Sequence, residues 1–215
     1  MQRYFVTGTD TDVGKTRVTA ALALALRHAH RQPTIVKLVQ TGLRDDEPGD
    51  AQIAGTLAGV PFLETARFFK PADPWSAALA DGMPPVHAED LAAVLAGIDG
   101  ALVAEGAGGI AVPLNRTQTF ADVAQLAQLT AVVVIGLRLG CINHALLTAA
   151  LLEQRKVPVA GAVFCERWEA VGEEYQEDVR RGLQGKLRVL GILPFDADAR
   201  RSIETGARMF ESLVG

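Results

Sequence analysis

A strand-like run, Tyr4-Phe5-Val6-Thr7, is followed by Gly8-Thr9-Asp10-Thr11-Asp12-Val13-Gly14-Lys15-Thr16 and then by a long Ala/Leu-rich helical segment. This junction constrains the chain more than any other feature. Glycines in such a turn let main-chain N–H groups point inward around phosphate oxygens, and the helix that starts there adds the positive end of its dipole. Lys15 supplies a mobile point charge for the outer phosphates, and the Thr16 hydroxyl is a ligand for Mg2+. The usual spacing is GxxxxGK[ST]; here Thr9 stands where its first glycine belongs, with Gly8 one place earlier. A Gly-rich strand-to-helix turn is also a common connector. Gly-Lys-Thr at that junction favours phosphate binding over the plain connector.

The rest of the chain repeats the alternation. Short β-branched runs stand at Tyr4–Thr7, Thr34–Leu38, Ala101–Glu105, Ala131–Gly136, Val159–Phe164 and Val189–Leu193. Helical patterns lie at about Lys15–His28, Asp50–Ala58, Ala88–Leu95, Phe120–Gln128, Ile142–Gln154 and Gly172–Leu187, with Ile203–Leu213 a final candidate. Strands such as Ala131-Val-Val-Val-Ile carry no polar alternation, so both faces should be covered. The expected fold is α/β: one phosphate-loop domain over residues 1–215, a mostly parallel sheet with helices on both faces and ligands beyond the carboxyl ends of the strands. The stretch Arg67–Pro85, with Pro71, Pro74, Pro84, Pro85 and Trp75, reads as a long irregular surface excursion, either functional or a cover for a sheet edge.

Composition narrows the class. A chain of 215 residues buries enough surface to fold as one domain without a disulfide or structural zinc. The net charge of −4 argues against a general binder of nucleic acid or anionic membrane. Cys141 and Cys165 are far apart and belong to no CxxC or Cys/His cluster, which fits a reduced cytoplasm. There is no signal-peptide pattern after Arg3, and clean apolar stretches such as Ala131 to Ile135 fall far short of the ~20 residues of a membrane span. The expectation is a cytoplasmic protein.

Two carboxylates and a second lysine are candidates for work beside the phosphate loop. Glu105 ends an apolar strand and enters Gly106-Ala107-Gly108-Gly109, where a charge is costly unless it meets a cation or N–H donors. Asp50 opens a helix; alone it reads as an N-cap, and with Glu105 it becomes a second metal ligand. Asp45, Asp46 and Glu47 look like a solvated acidic loop. Lys37, near the carboxyl end of a buried strand and followed by Gln40-Thr41-Gly42, should face the crevice rather than the core. Two ammonium groups and Mg2+ around one phosphoryl group is the charge pattern that phosphoryl transfer needs.

These residues resemble one family closely, dethiobiotin synthetase. The resemblance rests on Tyr4 to Thr16, on Lys37 with Thr41-Gly42, on Glu105-Gly-Ala-Gly-Gly, on Leu139-Gly-Cys-Ile-Asn-His-Ala-Leu-Leu-Thr and on Gly191-Ile-Leu-Pro. The blocks occur in order from Arg3 to about Phe195, and the Gly-Cys-Ile-Asn-His block makes the match specific. It implies a ligase of biotin biosynthesis that uses ATP or another nucleoside triphosphate, Mg2+, CO2 or bicarbonate, and 7,8-diaminononanoate. An amine of the substrate takes up CO2 as a carbamate, the γ-phosphoryl group passes to it, and the neighbouring amine closes a cyclic urea. The resemblance assigns Thr16, Asp50 and Glu105 to the metal, Lys15 to the phosphates, and Lys37 and Thr41 to the carbamate with Thr11 close by. Its nucleotide site is Asp12, Val13, Gly14, Lys15, Thr16, Arg17, Glu105, Gly106, Ala107 and Gly108, with Pro194, Phe195 and Asp196 flanking the base. It implies a homodimer in which the substrate carboxylate meets the helix start Gly140, Cys141, Ile142 and Asn143 of the other subunit. On local pattern alone, Asn143 and His144 read as capping and packing, and Cys141 as a small buried residue.

The chain departs from the family pattern at three places. Cys165-Glu166 stand where many relatives carry Asn-Asp, so the paired amide that reads adenine is replaced. Leu38 replaces a proline after the lysine, and Trp75-Ser76 replace Pro-His in the proline-rich loop. A rival reading is a nucleotide-switched, partner-binding ATPase of the same fold. That class typically carries another lysine at the start of the loop, where this chain has Gly8-Thr9-Asp10. A glutamine-dependent amide-forming ligase would need a further glutaminase domain.

Overall fold

The computed structural model describes residues 2–166 and 169–215. The chain runs β1 (Arg3–Gly8), α1 (Lys15–His28), β2 (Pro33–Lys37), β3 (Gln40–Thr41), α2 (Asp50–Ala58), β4 (Phe62–Glu64) and β5 (Arg67–Phe68). It continues α3 (Pro74–Ala80), α4 (Ala88–Ala96), β6 (Ala101–Gly109), α5 (Phe120–Leu126), β7 (Thr130–Gly136) and α6 (Cys141–Gln154). It ends β8 (Val159–Cys165), α7 (Glu173–Leu183), β9 (Val189–Leu193), α8 (Ala199–Arg208) and α9 (Glu211–Val214).

Seven strands form one parallel sheet in the order β4-β2-β6-β1-β7-β8-β9, and β3 pairs with β5 beside it. The unbroken apolar strands have the covered faces expected of them. Tyr4 and Val6 pack with Val18, Leu22 and Leu26 of α1, whereas Phe5 packs on the opposite face with Phe120 and Leu102. The helix α1 is buried almost all round, from Val18 to Leu26, as its Ala/Leu run requires. Sheet order reverses at β1, whose neighbours β6 and β7 lead to opposite edges. The crevice at the carboxyl end of β1 is the topological switch point where ligands bind in such sheets.

Several elements differ from the sequence expectation. The proline-rich excursion holds β5 and α3; Asp73 caps α3 by accepting the Ser76 N–H at 2.9 Å, and Pro74 takes the first helical position. β6 continues past Glu105 through the glycines because Gly8 pairs with Gly109. The last helix starts earlier, at Ala199, where the Asp198 carboxylate accepts from the N–H groups of Arg200 and Arg201, and it breaks before Glu211.

Candidate functional site

The phosphate loop leaves β1 and re-enters the fold at Gly14, whose φ of +98° suits glycine. A Cβ on Gly14 would overlap Cys165 Sγ, and one on Gly8 would lie 2.6 Å from Asp10 O, so both glycines are needed for conformation and close approach. Gly14 is the N-cap of α1 and offers no capping side chain, so no side chain of the cap takes up the first N–H groups of the helix. Lys15 is buried there and donates to Asp10 O at 3.1 Å. Burial pushes the Lys15 ammonium pKa down, with Lys37 adding to the effect against Glu105 and Asp50. Val13 points into the core instead and packs beneath Gly136.

Register places the second lysine. Lys37 on β2 sits directly beside Glu105 on β6. Its Nζ donates to Glu105 Oε1 at 2.8 Å, Asp50 Oδ2 at 2.5 Å and Gly106 O at 3.2 Å. The Thr16 hydroxyl lies 3.0 Å from Asp50 Oδ1 and 3.3 Å from Glu105 Oε1. Burial works against the Lys37 charge, but Glu105 and Asp50 outweigh it and hold the ammonium above its usual pKa. Asp50 is likewise disfavoured by burial, and Lys37 with Thr16 brings its carboxyl below the usual range. Asp50 is not the cap of α2, since Gly49 holds that position; its side chain turns instead to the Lys37 ammonium and the Thr16 hydroxyl. Asp45, Asp46 and Glu47 are exposed, as expected.

These groups line a cleft of about 710 Å3 with Thr11, Asp12, Gly14, Arg17, Thr41, Ala107 and Gly108. Two carboxylates and a hydroxyl, all hard oxygen donors, converge within hydrogen-bond distance, a donor set that fits Mg2+ with waters and phosphates completing its shell. The carboxylates presently meet the Lys37 ammonium, which satisfies the need of buried Glu105 for a cation.

Known proteins share this arrangement of chain. The AAA domain family model matches residues 2–202. The ATP-dependent dethiobiotin synthetase BioD of Anaeromyxobacter dehalogenans (strain 2CP-C) is 37% identical over 219 residues, covering 96% of each chain. That of Rhodopseudomonas palustris (strain HaA2) is 40% identical over 206 residues, covering 92% of this chain and 89% of the relative. The chain belongs to the dethiobiotin synthetase family. It is therefore an enzyme of the ligase class with a nucleotide co-substrate. Among solved structures, the cell division ATPase MinD of Pyrococcus furiosus superposes with a TM-score of 0.60 at 17% identity, covering 99% of this chain and 100% of that one. The ParA family ATPase of Chlorobium tepidum TLS gives 0.57 at 12%, covering 99% and 93%. At such identities the likeness is one of fold.

In this dethiobiotin synthetase family member the remaining candidates lie outside the cleft. Gly140, exposed with φ +88°, begins α6; Asn143 is exposed, Ile142 half-buried and Cys141 buried. Cys141 Sγ lies 3.7 Å from Tyr175 Oη, and burial with that contact pushes the phenol up to about 12. Pro194, Phe195 and Asp196 follow β9. Hydrogen bonds from Arg201 hold the Asp196 carboxyl down at about 2. Arg17 reaches from α1 to this side, donating to Pro194 O at 3.0 Å and Glu166 O at 3.4 Å, and it also bonds Ser202 Oγ.

Sequence reasoning leaves out Thr19 and the contacts that Gln40 and Glu166 make. Thr19 donates to Glu105 Oε2 at 2.7 Å, Gln40 Oε1 accepts the Asp50 N–H at 3.0 Å, and Glu166 is a buried carboxylate. Thr19 carries a faint signal, a hydroxyl one turn after Thr16 on the same helix face. No helix among the described residues is long and apolar enough to cross a membrane.

Proposed function

We propose that the chain makes dethiobiotin from 7,8-diaminononanoate, CO2 or bicarbonate and a nucleoside triphosphate. The observation that carries this reading is Lys37 bound to Glu105 and Asp50 at the end of the phosphate loop, within a family member. The triphosphate rests on the N–H groups of residues 12–17, with Lys15 at its outer phosphates. Thr16, Asp50 and Glu105 would hold Mg2+, which when bound would neutralise phosphate charge.

One substrate amine combines with CO2 to give a carbamate. Lys37, with Thr41 and Thr11 beside it, receives that anion; Lys15 and Lys37 together offset the repulsion between carbamate and γ-phosphate. The carbamate oxygen attacks phosphorus, the nucleoside diphosphate leaves, and a carbamic–phosphoric anhydride forms. The second amine then attacks the carbonyl carbon and expels phosphate, closing the five-membered urea. A homodimer completes the site: the partner's α6 start, residues 140–143, meets the distal carboxylate at the positive end of that helix, where the Cys141 N–H is already given to Arg138 O. No nucleic acid or membrane takes part.

Phosphate release provides the test. It should require the diamine and bicarbonate together with Mg2+ and nucleotide. Nucleotide hydrolysis that proceeds equally without the diamine would favour the partner-switching ATPase reading over this one.

A further inference from the structure

The crevice is fed from two sides of β1. On the β2/β6 side stand Lys37 and Glu105, which with Thr16 mark the outer-phosphate end. A triphosphate oriented that way must project its nucleoside toward the other side, over the mouths of β8 and β9. That rim is built around one side chain. Glu166, the residue after β8, is 5% exposed. Its Oε1 accepts from the Val171 N–H at 2.8 Å and from Gln176 Nε2 at 3.4 Å, and its Oε2 accepts from the Phe195 N–H at 3.0 Å. Its own N–H donates to Leu193 O at 3.0 Å, and its carbonyl accepts from Arg17.

One carboxylate thus ties the β8–α7 connection, α7 and the β9–α8 connection together, and Arg17 ties the assembly to the start of α1. All three side-chain contacts come from N–H donors, so the position needs a group that only accepts. Phe195 is 46% exposed and is the aromatic face this bracket presents.

We propose that Glu166 is the positioning residue for the nucleoside half of the triphosphate: it fixes Phe195 and Val171 at the rim that base and ribose meet, and its carboxylate is spent on protein N–H groups. The assignment rests on the triphosphate placement proposed above. Glu166→Ala leaves the Val171 and Phe195 N–H groups without this acceptor, while Gln176 Nε2 keeps Val171 O at 2.7 Å, and Glu166→Gln turns an amide NH2 toward N–H groups.

Calorimetric binding of a non-hydrolysable ATP analogue and of inorganic tripolyphosphate, both with Mg2+, separates the two halves of the site. Both variants should weaken the analogue about tenfold, the scale of one lost base–aromatic stack, and leave tripolyphosphate unchanged. In turnover the KM for the nucleotide should rise while kcat at saturation holds. Phe195→Ala, which keeps the main-chain N–H to Glu166, should cause a similar loss, and the double variant should lose no more than either single one. That variant also reads the prediction where Glu166→Ala does not fold. Equal losses for both ligands, no loss for either, or additive losses in the double variant would overturn the assignment. A wild-type chain that binds neither ligand would instead overturn the phosphate-site reading, and this assignment with it.

Discussion

Replacing Lys37 with methionine keeps most of the side-chain volume and removes an ammonium that lies within 3 Å of both Asp50 and Glu105. Glu105 is 1% exposed, so its charge is left uncompensated in the interior. Deleting one partner of a buried pair costs about 3–5 kcal/mol. Asp50 is about a third exposed, which screens its share, and Glu105 keeps the Thr16 and Thr19 hydroxyls. The low end, about 3 kcal/mol, is therefore expected. For a domain of this size that corresponds to a fall in Tm of about 6–12 °C. Thermal melts of the metal-free protein, followed by circular dichroism, measure it directly.

The pH dependence follows from the two shifts. Lys37 titrates above its usual value when folded, so its contribution is complete below about pH 10.5 and is lost as pH rises through the folded pKa. Asp50 titrates below its usual value, so its contribution is present above about pH 4 and is lost as pH falls through the folded pKa. The gap between wild type and Lys37→Met should be widest between those limits and narrow on either side. Mg2+ alone should raise the variant's Tm more than the wild type's, since it restores positive charge at the carboxylates. A variant that melts within about 1 °C of wild type at pH 7–8 would refute this account of the ion cluster, since the same scaling puts even the low-end cost well outside that range.

Other outcomes follow from the same geometry. Lys37→Ala should nearly abolish turnover in a protein that still binds nucleotide; near-normal rates would remove Lys37 from the chemistry. Glu105→Gln should weaken Mg2+-dependent nucleotide binding, and an unchanged magnesium titration would remove Glu105 from the metal shell. Gly14→Ala should abolish nucleotide binding, because the new methyl meets Cys165 at a left-handed φ; tight binding by that variant would contradict the loop geometry. With the Glu166 carboxylate already bound to protein N–H groups, ATP should exceed other triphosphates in kcat/KM by less than about a hundredfold, against the roughly 10^4-fold or more of sites that read a group by hydrogen bonding.

Much of the site was legible because its residues violate their surroundings. Lys37 and Glu105 are charges at the carboxyl ends of apolar strands, and Gly-Lys-Thr lies at a strand-to-helix junction, so each announces a special contact. Their adjacency was not legible, since it comes from β2 pairing with β6 across more than sixty residues of intervening chain, a long-range choice that no local pattern encodes. Asp50 shows the limit of local rules: as the first residue of a helix it reads as a cap, and only the fold brings Lys37 within reach. The Arg67–Pro85 stretch reads as irregular from its four prolines, although Asp73-Pro74 is a helix start in its own right. Glu166 was visible only as a missing amide, because its partners Val171, Gln176 and Phe195 come from two connections and a helix that lie apart in the sequence.

The most direct measurement incubates the purified chain with 7,8-diaminononanoate, 13C-bicarbonate, Mg2+ and nucleotide and follows the products by mass spectrometry. Labelled cyclic urea should appear in a one-to-one ratio with released phosphate. Phosphate without labelled urea, or no reaction of the diamine with any triphosphate, would contradict the account.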